Sequence, residues 1–306
     1  MIELSDIQNF FRGHLALNEP LDKYTSFRIG GPADYYLEPA DKNDLISVIT
    51  YFQQRQIPFM MIGKGSNMLV SDDGVRAAVI NLQEGLENVY VDGGCVVAEA
   101  GLSISRFVDF CIRNGYKGVE MLAGIPGTLG GALMMNAGAY GGEISDHLIE
   151  VEVLRAGSVL TISKDRAGFT YRHSSFQGDI ILGAKFRMPE GDKAELMNMR
   201  RELMIKRNRV QPVNFPNSGS MFKNPPGNYA ARLIEEAGLK GKQQGKAQIS
   251  EKHANFIVNH GGARAEDVLA LIMMTRETVK KKFNIALELE VKLIGFQEEV
   301  MHEVYS

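Results

Sequence analysis

The sequence predicts an α+β protein, and three observations carry that prediction. Segments with period-two and period-3.6 apolar patterns are mixed along the chain without the strict alternation of a doubly wound parallel sheet. Two tight glycine-containing turns sit between short apolar runs, as in antiparallel hairpins. At 306 residues, the chain is also long enough for two or three domains of ordinary size.

The elements follow in order. Ser5 is placed to cap a first helix over 5–17. Residues 33–38 read as a strand, and 41–56 as an amphipathic helix with Leu45, Val48, Ile49 and Phe52 on one face. A short apolar strand, 58–62, runs directly into Gly63-Lys64-Gly65-Ser66-Asn67-Met68. Residues 75–82 form a further strand. A hairpin turns at Asp92-Gly93-Gly94, and a helix over 103–114 is stopped by Gly115. A second hairpin turns at Ala156-Gly157, and a strand follows over 179–188. A long charged helix over 192–210 ends before Pro212 and marks a shift in composition, so the main domain boundary is placed near 189. The remainder reads as a proline- and glycine-rich loop (211–227), a helix (228–237), a strand (255–259), a long helix (265–283) and an alternating strand (286–294).

Bulk properties narrow the function. A balance of 44% hydrophobic and 23% charged residues is that of a globular protein. A net charge of -3 gives no electrostatic footprint for nucleic acid or a membrane surface. The cationic run Lys280–Lys282 suits the C-terminal end of a helix. Cys95 and Cys111 make neither a disulfide framework nor a paired metal-ligand spacing, which points to a reducing compartment and no metal. No secretory signal is visible at the acidic start. The uncharged stretch between Glu120 and Glu143 could in length span a bilayer. It carries seven glycines and no sustained aliphatic run, so a membrane span is the poorer reading.

Those glycines and the loop at Gly63 are the candidate ligand sites. Successive backbone N–H groups in tight turns can cradle an anion, with Ser66 and Asn67 adding side-chain donors. Both common dinucleotide templates fail: Met68 stands where a Rossmann fingerprint needs glycine, and Lys64-Gly65-Ser66 does not supply the GK[ST] of a P-loop. The second stretch contains Gly124-Ile125-Pro126-Gly127-Thr128-Leu129-Gly130-Gly131-Ala132 and Asn136-Ala137-Gly138. Because glycine inside a helix costs about 1 kcal/mol relative to alanine, this density suits backbone that approaches something flat or anionic, although close helix packing is the alternative. Two such loops suggest a dinucleotide held between two subdomains.

Three residues draw attention for chemistry. Ser220, in Asn217-Ser218-Gly219-Ser220-Met221-Phe222-Lys223-Asn224-Pro225, is on local grounds a turn serine, since an unassisted hydroxyl is a very weak acid. No Gly-x-Ser-x-Gly elbow accompanies it, so a hydrolase nucleophile is unsupported. Arg172, in Tyr171-Arg172-His173-Ser174-Ser175-Phe176, carries a planar fork suited to a carboxylate. Glu290 lies on Leu287-Glu288-Leu289-Glu290-Val291-Lys292-Leu293, where period two puts Glu288, Glu290 and Lys292 on one face.

Taken together, the motifs from Ile62 to Leu69, Ala123 to Ala132, Asn136 to Tyr140, Tyr171 to Phe176, Gly219 to Pro225 and Leu287 to Gly295 resemble the UDP-N-acetylenolpyruvoylglucosamine reductase family. The likeness runs from about Leu21 to Gly295. It implies a two-subdomain FAD-binding domain of the vanillyl-alcohol-oxidase type over 1–188, divided near 75, then a smaller α+β substrate-binding domain over 189–295 and a tail, 296–306. It implies non-covalent FAD contacted by Ile62, Gly63, Lys64, Gly65, Ser66, Asn67, Met68, Gly124, Gly127, Thr128, Gly130, Gly131, Ala132, Asn136 and Gly138, with NADPH as reductant. The implied reaction is the reduction of UDP-N-acetylglucosamine enolpyruvate to UDP-N-acetylmuramate in the cytoplasm, for peptidoglycan synthesis. Ser220 would protonate C2 of the enolpyruvyl group, while Arg172 and Glu290 polarise the substrate carboxylate and stabilise the enolic intermediate. Tyr171, Lys223 and Asn224 become substrate-contact candidates. The stretch 246–259, also shared with the family, reads as architectural. The chain resembles the shorter subtype, so the tyrosine with which longer members close over the UDP moiety has no counterpart here. An oxidase of the same fold and a non-enzymatic UDP-sugar-binding flavoprotein are the alternatives.

Overall fold

A computed structural model describes residues 7–305. The chain divides into two compact units, each interleaved in sequence with the other. The first comprises the described residues through Leu17, Tyr35–Gly63 and Ala77–Arg207; the second comprises Asn18–Asp34, Lys64–Arg76 and the described residues from Asn208 on.

The first unit contains a five-stranded antiparallel sheet, ordered Ser158–Ser163, Leu148–Arg155, Ile180–Phe186, Cys95–Glu99, Val89–Asp92. Both predicted hairpins are in it. Gly93 and Gly94 have φ of 55° and 74°, and Ala156 and Gly157 have 46° and 79°, the left-handed pairs that two-residue hairpin turns need. The unit also holds most of a four-stranded sheet, ordered His14–Pro20, Pro32–Glu38, Val75–Asn81, Phe59–Ile62, whose last two strands are parallel. Helix Lys42–Gln54 starts where the Asp41 carboxylate accepts from Asp44 N–H, and it buries Leu45, Val48, Ile49 and Phe52 as its period requires. Helix Ile104–Arg113 is capped by Ser103 and buries Ile104, Phe107, Val108, Cys111 and Ile112. The rings of Phe107 and Phe186 pack with centroids 4.9 Å apart, joining helix to sheet.

The second unit has its own core around Phe27, Leu69, Phe222, Ile257, Leu271 and Leu289. A three-stranded sheet (Gln243–Gln244, Ala247–Ile249, Ile257–Asn259) packs against helix Ala265–Phe283, and the unit also holds a parallel pair (Lys292–Ile294 with Met68–Val70). That helix begins with Arg264 N–H donating to Asp267 (3.0 Å) and ends at Asn284 with φ 57°, the three lysines lying in its last turn as expected.

Three local expectations are corrected. Ser5 lies outside the described residues, and the segment expected to continue as helix to 17 contains a strand from His14, because sheet pairing with Pro32–Glu38 outweighs a weak helical pattern. The alternating segment 286–294 is a paired strand only at Lys292–Ile294; before it, Leu289 forms a single bridge to Phe222. Its burial still alternates, with Leu287, Leu289, Val291 and Leu293 inside. The uncharged glycine stretch contains a six-residue helix, Leu129–Met134, capped by Thr128, and a short hairpin of Gly138–Ala139 with Gly142–Glu143. Among the described residues, no helix is long and apolar enough to cross a membrane.

Candidate active site

In the first unit, the strand Phe59–Ile62 delivers Gly63 against the second glycine stretch. A Cβ on Gly63 would lie 2.5 Å from Thr128 Oγ1, so only glycine permits this approach. Other glycines in the stretch have protein neighbours: a Cβ on Gly124 would meet Met204 and Arg207, and one on Gly142 would meet Met121. The Gly130 N–H already donates to Ala100 O at 2.8 Å. Protein packing therefore accounts for part of the glycine density that the sequence attributes to a ligand. Gly131 differs, being exposed, with no atom beyond its own helix backbone and chain neighbours nearer than 3.5 Å to where its Cβ would be.

Asn136, at φ 43° and 1% exposed, donates through Nδ2 to Glu143 Oε2 (2.6 Å) and Thr170 O (3.1 Å). Its Oδ1 is buried without a hydrogen-bond partner. A buried acceptor of that kind costs about 1–3 kcal/mol unless a donor reaches it. The glycine-only approach at Gly63, the open face of Gly131 and the orphaned Asn136 carbonyl together fit a flat, donor-bearing nucleotide such as FAD.

Asn136 also supports Arg172. Thr170 and His173 exchange N–H···O bonds of 3.1 Å, making Tyr171 and Arg172 the tip of a tight turn. Ser174 Oγ donates to Met134 O at 2.8 Å and fastens this turn to the glycine stretch. Arg172 has φ 57°, an uncommon conformation for a residue with a side chain. Its Nη2 donates to Gly138 O (3.1 Å), and its Cζ lies 4.8 Å from the Tyr171 ring centroid. The guanidinium is thus oriented from two sides.

The second unit brings together Ser220, Glu290 and the end of the first glycine loop. Glu290 N–H donates to Met221 O (2.9 Å), and Lys223 N–H donates to Glu288 O (2.9 Å), so the backbone beside Ser220 is paired with that of Glu290. Asn67 Nδ2 donates to Glu290 O (3.0 Å), and Lys292 N–H donates to Asn67 O (3.0 Å). Met221 and Phe222, both nearly inaccessible, anchor the Ser220 loop; burying a phenylalanine contributes about 1.5–3 kcal/mol. Ser220 and Glu290 stay half-buried. Lys223 pairs with Glu288. Asn224 is exposed, and its Oδ1 accepts from Ala230 N–H (3.0 Å) at the start of helix Ala230–Glu236. Asn67 thus bridges to the Glu290–Lys292 backbone, a contact that the sequence does not reveal.

Close by in sequence, burial pushes the His253 imidazole below its ordinary pKa of 6.5, its Nδ1 lacking a partner. The folded chain then resists a proton that the unfolded chain accepts. Stability from this group is intact above about pH 6.5 and is lost as pH falls from there toward the depressed value. Thermal denaturation should show Tm declining over that window, and His253→Asn should flatten the decline. An unchanged slope in the variant would assign the decline to other groups.

In this α+β protein the first unit has a glycine-lined stretch that fits a nucleotide and holds the Arg172 guanidinium in place, and the second unit pairs the backbone beside Ser220 with that of Glu290. Family models match it in two places: an FAD binding domain over 33–163 and the C-terminal domain of UDP-N-acetylenolpyruvoylglucosamine reductase over 211–294. The UDP-N-acetylenolpyruvoylglucosamine reductase of Chloroherpeton thalassium is 45% identical over 98% of this chain and 99% of that protein. The enzyme of the same name from Caldanaerobacter subterraneus is 45% identical over 92% of this chain. The crystal structure of the Thermus caldophilus UDP-N-acetylenolpyruvylglucosamine reductase superposes with a TM-score of 0.80, at 36% identity, over 93% of this chain and 100% of that one. The chain belongs to the UDP-N-acetylenolpyruvoylglucosamine reductase family.

Proposed function

We propose that this chain catalyses the NADPH-dependent reduction of UDP-N-acetylglucosamine enolpyruvate to UDP-N-acetylmuramate, with Ser220 as the proton donor. The backbone pairing that sets Ser220 beside Glu290 carries this reading, because it joins a weak hydroxyl acid to a carboxylate on a fixed frame. Residues of the two glycine loops would hold FAD, and the group would supply hydride transfer from NADPH to C3 of the enolpyruvyl group. Ser220 protonates C2, where the developing carbanion is basic enough to draw a proton from a hydroxyl. Arg172 binds the substrate carboxylate through its fork and stabilises the negative charge that spreads onto it. Glu290 helps to stabilise the enolic species. Tyr171, Lys223 and Asn224 contact the UDP-sugar, with Lys223 exchanging its Glu288 partner for the substrate. Most of 1–188 serves the flavin, with Tyr171 and Arg172 adding substrate contacts, and 189–295 serves the sugar nucleotide. The reaction belongs in the cytoplasm as a step of peptidoglycan precursor synthesis, consistent with the two buried free cysteines.

Stopped-flow absorbance tests this reading. Purified protein should be yellow, bleach on mixing with NADPH, and regain its absorbance when the UDP-enolpyruvyl sugar is added. A colourless protein that binds no FAD, or a reduced flavin reoxidised by oxygen and not by the sugar nucleotide, would overturn it.

A further inference from the structure

The stretch 246–259 matches the family yet reads from sequence as architecture. It carries two asparagines inside an apolar run, Ala254-Asn255-Phe256-Ile257-Val258-Asn259, and both are buried, at 3% and 2% exposure. Buried amides are found where they complete hydrogen bonds, so their partners show what they hold. The Asn259 side chain bonds to groups outside the Ser220 loop: Nδ2 donates to Phe27 O (3.0 Å), and Oδ1 accepts from Gly261 and Ala263 N–H (2.7 and 3.0 Å). Its backbone N–H does reach the loop, donating to Pro216 O at 2.9 Å.

Asn255 is different. Its Oδ1 accepts from Phe222 N–H (3.0 Å), and its Nδ2 donates to Phe222 O (2.8 Å), so a single carboxamide grips both backbone groups of one residue. Its own carbonyl accepts from Met221 N–H at 2.8 Å. The segment carrying Ser220 is therefore tied at Pro216 and again at Met221–Phe222. Met221 and Phe222 meet Asn255 on one side and the Glu288–Glu290 backbone on the other. Turning the Phe222 peptide would shift Ser220 and break the register with Glu290 together.

We infer that Asn255 is a positioning residue for proton transfer: its side-chain amide sets the peptide after Met221 and so aims the Ser220 hydroxyl. The inference rests on Ser220 being the proton donor. The apolar anchors Met221 and Phe222 keep the loop attached without Asn255, but apolar contact is non-directional and does not fix the rotation of a peptide.

The test is reoxidation of the NADPH-reduced flavin by the UDP-enolpyruvyl sugar, measured for Asn255→Ala, Ser220→Ala and the double variant. Asn255→Ala should keep its flavin and bleach normally with NADPH, yet reoxidise about 10²-fold more slowly, the scale of loss that misplacement of a reacting group brings. In the Ser220→Ala background the same substitution should change the rate by less than about threefold, because there is no hydroxyl left to aim. Asn255→Asp covers the case in which the alanine variant does not fold. Its protonated carboxyl can replace both bonds to Phe222, whereas its ionised form faces the Phe222 carbonyl, so reoxidation should recover as pH is lowered while the wild type shows no such recovery. Wild-type reoxidation in Asn255→Ala, an equal loss with and without Ser220, or a flat pH profile in Asn255→Asp would overturn the inference. Fast reoxidation in Ser220→Ala alone would instead remove the proton donor on which it rests, so the two failures are separable.

Discussion

Ser220→Ala should bleach with NADPH as fast as the wild type and then fail to recover, its reoxidation by the UDP-enolpyruvyl sugar slowed by about 10²–10⁴-fold. That range is what a positioned general acid contributes. The effect should be confined to one half-reaction for a structural reason. The bonds that hold this segment, from Met221 and Phe222 to Asn255 and from Glu290 to Met221, involve backbone and the Asn255 amide, not the Ser220 hydroxyl. Removing one half-buried oxygen leaves them in place, so Tm and flavin content should stay near wild type. Equilibrium binding of the sugar nucleotide to the oxidised enzyme should also persist, since the proton is needed only as charge develops at C2. Reoxidation within about threefold of the wild-type rate would make Ser220 a turn residue and reassign proton donation to another group or to water.

The parts of this molecule that were legible in its sequence are those whose cause is local. The helix at Ala265–Phe283 has its acidic start and basic end written next to a clear apolar period. The turns at Gly93-Gly94 and Ala156-Gly157 need left-handed backbone and carry the residues that allow it. The helix Leu129–Met134 escaped because two of its six residues are glycine, against propensity; Thr128, three residues before Gly131, was the available cap signal. The pairing of Ser220 with Glu290 could not be read from spacing at all. It depends on a backbone bridge between segments far apart in the chain, and only resemblance to a family put the two residues in one reaction. Asn67 and Asn255 leave a fainter trace. A carboxamide in an apolar run or after a glycine turn signals that some backbone group is being satisfied, but not which one. The glycine stretch gives the opposite lesson: two of its glycines, Gly124 and Gly142, are explained by Met204 and Arg207 and by Met121 packed against them.

Arg172→Lys should lower the rate of reoxidation by about 10²–10³-fold, the cost of losing a preorganised donor to developing charge, while NADPH bleaching is preserved. Lysine retains the positive charge, so long-range attraction of the anionic substrate survives and the loss isolates geometry. An ammonium cannot present two parallel N–H groups to a carboxylate. Nor can it keep the present orientation, in which the guanidinium donates to Gly138 O and lies over the Tyr171 ring. The turn itself should survive, because its bonds run between Thr170 and His173 and from Asn136 and Ser174, none through the arginine side chain. Lysine meets the left-handed φ at position 172 no worse than arginine does, so a large fall in Tm is not expected. The diagnostic is the split between parameters. A residue that only helped the substrate to bind would raise KM for the UDP-enolpyruvyl sugar and leave kcat unchanged; one that stabilises charge on the carboxylate during protonation lowers kcat as well. A variant with raised KM and wild-type kcat would confine Arg172 to binding and leave charge stabilisation to Glu290 and its neighbours.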